Sequence, residues 1–146
     1  MAGEMSAMWS TEHSVETTAA PETIWKLWTD VGDWPRWNAD LDRAELTGAF
    51  APGSEITMFP REDDPIELII AEADEPERFV DQADLGPVVV RTAHRVERLG
   101  PDRSRIVYRM EITGPEADTL GPQIGPGITA DFPDVLAKLA AVAEDR

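Results

Sequence analysis

The sequence predicts an α+β fold in which a curved antiparallel sheet wraps a long C-terminal helix and encloses an apolar pocket. Three observations predict it. Six segments between Leu41 and Thr113 have strand-like texture and are joined by tight turns. An alternating segment, Trp9–Thr17, precedes two short helical ones, and the tail carries one apolar stripe at helical spacing. Consecutive strands with short links pair antiparallel, because parallel neighbours need a crossover of a dozen or more residues.

In Trp9–Thr17, the residues Trp9, Thr11, His13, Val15 and Thr17 alternate with Ser10, Glu12, Ser14 and Glu16. That is a period of two with one wet face. The strand stops at Thr18-Ala19-Ala20-Pro21, and Pro21 suits a first helical turn, where its missing N–H would have no partner anyway. Ile24, Trp25, Leu27 and Trp28 then recur at helical spacing. Gly32 ends this helix, and Asp33 is a candidate cap for a second short one containing Trp34, Pro35 and Trp37.

The strands expected next are Leu41–Thr47, Ser54–Phe59, Ile66–Ala73, Arg78–Leu85, Val88–Leu99 and Arg105–Thr113. Gly, Pro and Asp mark the turns between them. In the tail, Phe132, Val135, Leu136, Leu139 and Val142 form the apolar stripe of a helix with Asp131 at its N-cap. The preceding Gly121–Gly127 holds two prolines and three glycines. Glycine and proline both disfavour a helix interior, so the expectation is a broken or kinked approach and a flexible lip of the cavity.

At 146 residues the chain fits one domain, residues 1–146. It holds 29 acidic against 13 basic residues, for a net charge of −16. A field of that sign repels phosphate backbones and anionic leaflets, which argues against nucleic-acid binding and stable membrane association. No apolar run is long enough to span a bilayer. The absence of cysteine rules out disulfides, thiolate nucleophiles and cysteine metal sites. The start, MAGEMSAMWS, has no basic and apolar leader pattern, so a cytoplasmic location is expected. Monomer and homodimer both remain open.

Three stretches carry a family resemblance. Val15-Glu16-Thr17-Thr18-Ala19-Ala20-Pro21-Glu22-Thr23-Ile24-Trp25 is similar to a strand, an Ala-Pro break and a helix. Asp30-Val31-Gly32-Asp33-Trp34-Pro35-Arg36-Trp37-Asn38 and Glu72-Ala73-Asp74-Glu75-Pro76-Glu77-Arg78-Phe79 are similar to two further conserved segments. Together with the element order they resemble the SRPBCC superfamily, which includes polyketide cyclase/dehydrase proteins, START lipid-transfer domains and the birch-pollen-allergen group. The resemblance implies a helix-grip fold: a seven-stranded antiparallel sheet, two short helices after strand 1, and a long C-terminal helix. It also implies that the first strand lies beside the last, and that a ligand cavity lies between the concave face and the helix.

Alternation assigns side chains to that face. Ile106, Tyr108, Met110 and Ile112 form one set, and Val88, Val90, Thr92, His94 and Val96 the matching set. The Gly100-Pro101-Asp102 turn sets His94 opposite Tyr108 or Met110, and the implied strand order adds His13 from the other side. An imidazole and a phenol in an apolar cavity suit enolisation, aldol closure or dehydration, so His94 and Tyr108 are the candidate catalytic residues. The candidate ligand-binding residues are His13, Trp28, Trp37, Met58, Thr92, Met110, Ile124, Ile128 and Phe132. Two histidines on different strands, without an inward carboxylate, are poor grounds for a metal site. No metal or cofactor is expected.

The aromatase/cyclase members keep an arginine inside the pocket, whereas Arg91, Arg95, Arg105 and Arg109 here fall on outer faces. The expected ligand is therefore apolar and neutral or cationic. The leading expectation is a protein that binds a hydrophobic small molecule and catalyses its cyclisation or dehydration. The alternatives are a non-catalytic lipid, quinone or isoprenoid carrier, and a protein-interaction module.

Overall fold

The computed structural model describes residues 8–145. Strand β1 (Met8–Thr17) is followed by helix α1 (Pro21–Thr29) and a 3-10 helix (Val31–Arg36). Then come β2 (Leu41–Thr47), β3 (Glu55–Pro60), β4 (Ile66–Asp74), β5 (Arg78–Asp84), β6 (Val89–Gly100) and β7 (Arg103–Thr113). Helices α2 (Ala117–Thr129) and α3 (Phe132–Glu144) end the chain. The sheet order is β1-β7-β6-β5-β4-β3-β2, every pairing antiparallel. The seven-stranded helix-grip architecture is thus as expected. β1 closes onto β7 because its alternating face continues the apolar face of β7: Trp9 lies opposite Ile112, and Val15 opposite Ile106.

The core lies between the concave face and the helices. Ile106, Tyr108, Met110 and Ile112 are all buried there, as are Leu136 and Leu139 of α3. Burial of an aliphatic side chain of that size contributes roughly 1.5–3 kcal/mol, so this stripe is what holds α3 in the grip of the sheet. Val135, Ala140 and Ala143 complete the buried side of α3.

Two expectations about the helices need correction. Asp33 does not cap a second helix. It lies inside the 3-10 helix, whose N-cap position is Asp30, and its carboxylate instead accepts from Arg36 at 2.9 Å. Asp131 does occupy the N-cap position of α3 but makes no side-chain cap bond. Its carboxyl is half-buried, and burial followed by the neighbouring acid Asp40 raises its pKa to about 6.

The larger correction is that Gly121–Gly127 is helical. Helix α2 runs through it without interruption and includes both Pro122 and Pro126, and the chain turns only at Ala130-Asp131. Tertiary packing overrides propensity here. Gly121 and Gly125 lie flat against Trp9 of β1. A Cβ on Gly121 would overlap the Trp9 Cβ and reach within 3.0 Å of its Cγ, and one on Gly125 would overlap the indole ring. The glycines let the backbone of α2 meet an aromatic ring directly.

This reverses a simple expectation for Gly121→Ala. Propensity alone predicts a gain of about 1 kcal/mol. The collision is with Trp9 Cβ, which no rotamer change can move away, so the substitution should instead destabilise by roughly 1–3 kcal/mol. Urea denaturation of the two proteins measures the sign.

Candidate functional site

The register brings the candidate residues into two rows across the concave face. His13, Tyr108, His94 and Phe79 lie side by side on β1, β7, β6 and β5. Thr11, Met110, Thr92 and Asp81 form the next row. Of the two partners open to His94, the structure selects Tyr108.

The first row is an aromatic box. The His94 ring stacks parallel on Phe79 with centroids 4.1 Å apart and meets Tyr108 edge-on at 4.6 Å. Trp28, fully buried on α1, covers His94 and Tyr108 from above, and its indole N–H donates to Tyr108 Oη at 3.1 Å. Phe132, the first residue of α3, sets its ring edge-on against both Tyr108 and His13, at 5.7 and 6.0 Å. The box is closed on the Trp28 side, whereas His13, Thr92, Ile124 and Phe132 are only half-buried.

The second row contains a residue the sequence analysis missed. Asp81 points inward and is 6% exposed, with Oδ2 3.8 Å from His94 Nε2. The concave face therefore does hold an inward carboxylate, contrary to expectation. The other ring nitrogen, Nδ1, lies 3.4 Å from the Phe79 carbonyl oxygen. A proton held on Nδ1 by that carbonyl leaves Nε2 as a bare lone pair facing the carboxyl.

Electrostatics matches the geometry. Burial lowers the His94 pKa to about 3, against partial support from the Phe79 and Thr92 backbone, and raises that of Asp81 to about 7. An ion pair would move both values the other way. Burial wins because neither charge reaches solvent. Burial also pushes the Tyr108 phenol well above its ordinary value, so it stays protonated as a donor. The result is a neutral imidazole, a carboxyl poised near neutrality and a phenol O–H within one box.

The remaining expected residues divide. Thr92 and Met110 lie in the second row, Met110 fully buried. Ile124 packs against the core from α2. Ile128 was expected on the wall but is 42% exposed. It lies in the last turn of α2, beyond the glycines that seat the helix on Trp9, and so stands at the rim. Trp37 packs on Trp34 at 5.8 Å, outside the box, with a buried indole N–H that has no partner among the described residues. Met58 is on β3, three strands from β6, and is not part of the box. Arg91, Arg105 and Arg109 extend from the convex side into ion pairs, as alternation predicts.

No helix is long and apolar enough to cross a membrane among the described residues. No curated protein matches the sequence. Among solved structures, the chain is similar to a norcoclaurine synthase point mutant of Thalictrum flavum in complex with a transition-state analogue. That match has a TM-score of 0.71 at 18% identity, covering 94% of this chain and 95% of the other. It is similar to Ara h 8.0201 with a TM-score of 0.76 at 14% identity, over 95% and 99% of the two chains. It is also similar to the di-domain ARO/CYC BexL of the BE-7585A biosynthetic pathway, with a TM-score of 0.75 at 16% identity. There it covers 91% of this chain and 45% of that one. At these identities the likeness is one of fold. The pattern of the family described as polyketide cyclase / dehydrase and lipid transport matches residues 8–144, nearly the whole chain. The chain belongs to that family.

Proposed function

We propose that the concave site binds a neutral, apolar carbonyl compound and moves a proton at the carbon beside its carbonyl, leading to ring closure and loss of water. The observation that carries this reading is the buried Asp81–His94 pair beside a phenol that remains a donor. Tyr108 donates its O–H to the carbonyl oxygen, while the Asp81 carboxylate, set in place beside His94 Nε2, takes the α-proton. The enolate carbon then bonds to a second carbonyl carbon of the same molecule, whose oxygen becomes a hydroxyl. Removal of another proton from the same carbon expels that hydroxyl as water and leaves a double bond. The half-buried His13, Thr92, Ile124 and Phe132 form the side by which a ligand would enter. The outward arginines argue against an anionic substrate held inside, so the reading favours a neutral ring-forming substrate.

The test needs no natural substrate. A neutral bicyclic ketone is incubated with the protein in deuterium oxide, and loss of the α-proton signal is followed by NMR. Exchange faster than in buffer alone, and suppressed by a non-enolisable analogue, is the expected result. Saturable chemical-shift changes without exchange would favour the carrier reading, which the family's lipid-transport members represent. Neither effect would set aside both readings in favour of an interaction module.

A further inference from the structure

The convex face carries a feature that the concave site does not use. Four arginines, Arg78, Arg91, Arg95 and Arg109, surround a cleft of about 230 Å³ floored by Val80 and Ala93. A second cleft of about 440 Å³, in which Glu22, Glu77 and Glu97 balance the arginines, continues past Arg78 and Arg95 towards Arg98 and Pro21. Val80 is 2% exposed although it faces outward, because the arginine stems cover it.

The charge arrangement is not what a solvated sheet face needs. Arg78 and Arg95 are direct partners across β5 and β6, and like charges placed opposite one another are destabilising. Glu72 is shared, accepting from Arg78 at 2.6 Å and from Arg91 at 2.7 Å. Arg109 is occupied by Glu111 at 3.0 Å, with Glu12 at 3.8 Å. Arg95 has no carboxylate within 4.0 Å among the described residues, in a chain with 29 acidic side chains. Arg78 also meets Asp74 at 3.4 Å, so Arg78, Arg91 and Arg95 against Glu72 and Asp74 leave an excess of one positive charge, that of Arg95. Guanidinium groups present planar forks of donors that suit tetrahedral oxyanions, and a phosphate monoester is a dianion near neutral pH.

We propose that this groove is a binding site for the phosphoryl group of a small phosphorylated molecule, with Arg95 and Arg78 as the clamp. The sheet separates it from the concave site, so it is independent of the reaction assigned there. The net charge of −16 opposes anions elsewhere on the surface and makes this local excess the place where one can be held.

Arginine Nε–H resonances of the full chain are followed by NMR while inorganic phosphate or phenyl phosphate is added, with ionic strength held constant by sodium chloride. Saturable shifts of Arg78 and Arg95 with either probe are expected. A response to phenyl phosphate alone would mean that the organic portion is also recognised. Equal shifts with both probes would mean that the phosphoryl group suffices. Arg95→Ala should weaken binding roughly tenfold or more, the loss expected for a charge-assisted contact, and Arg95→Lys should restore part of it. Without phosphate, Arg95→Ala should stay folded, losing the cover of its stem over Val80 while relieving a like-charge pair. No saturable shift beyond the chloride control, or an Arg95→Ala protein that binds like the parent, would overturn the proposal.

Discussion

Replacing His94 with Gln, or Tyr108 with Phe, should lower the rate of α-proton exchange by roughly 10²–10⁴ while leaving the fold intact. The magnitude is the usual worth of a positioned acid or base. Both substitutions keep most of the side-chain volume: His94→Gln loses the ring stacked on Phe79 but fills its space, and Tyr108→Phe keeps its ring under Trp28. The loss of stability should stay near 1–2 kcal/mol, the cost of one hydrogen bond. Tyr108→Phe leaves the Trp28 indole N–H without its acceptor, so it should be the less stable of the two. Exchange rates and urea melts measured on the same samples separate chemistry from folding. Rates equal to the parent's in both variants would remove these residues from the reaction.

The second large effect is on stability as a function of pH. His94 folds with its pKa lowered from 6.5 to about 3, so between those values the unfolded chain binds more protons and stability rises with pH. Asp81 folds with its pKa raised from 3.8 to about 7, so across that window the folded chain binds more protons and stability falls with pH. From about pH 4 to 6.5 the two slopes oppose each other and nearly cancel in the parent. Each single substitution should expose the other group. Relative to the parent, Asp81→Asn should gain stability with rising pH, and His94→Gln should lose it. Each slope should approach 1.4 kcal/mol per pH unit. Urea midpoints measured at half-unit steps from pH 4 to 7 check the signs. Parallel curves for all three proteins would show that the pair is not held in its uncharged forms.

Much of the scaffold was legible because most strands have one wet side, as β1 and β7 do. In β7 the contrast between Ile106, Tyr108, Met110, Ile112 and Arg105, Arg109, Glu111 is clean, and with the Gly100-Pro101-Asp102 turn it sets His94 near Tyr108. Asp81 escaped because β5 is buried on both faces. Phe79, Val80, Asp81 and Ala83 are all buried, so the period-two contrast is lost and a lone acid reads as surface. The usable signal was Phe79, the largest apolar residue of the strand, whose face a residue two positions on must share. The helicity of Gly121–Gly127 was illegible for a different reason. It depends on Trp9, more than a hundred residues away in sequence, and local propensity carries no trace of such a contact.

A crystal structure of the protein with a bound neutral aromatic ketone tests the central claim most directly. The carbonyl oxygen should lie within hydrogen-bonding distance of Tyr108 Oη, with the α-carbon facing the His94–Asp81 pair and Phe132 displaced from the Tyr108 edge. A ketone seated only on the convex face or at the Ile128 rim, with the aromatic box unchanged, would contradict it.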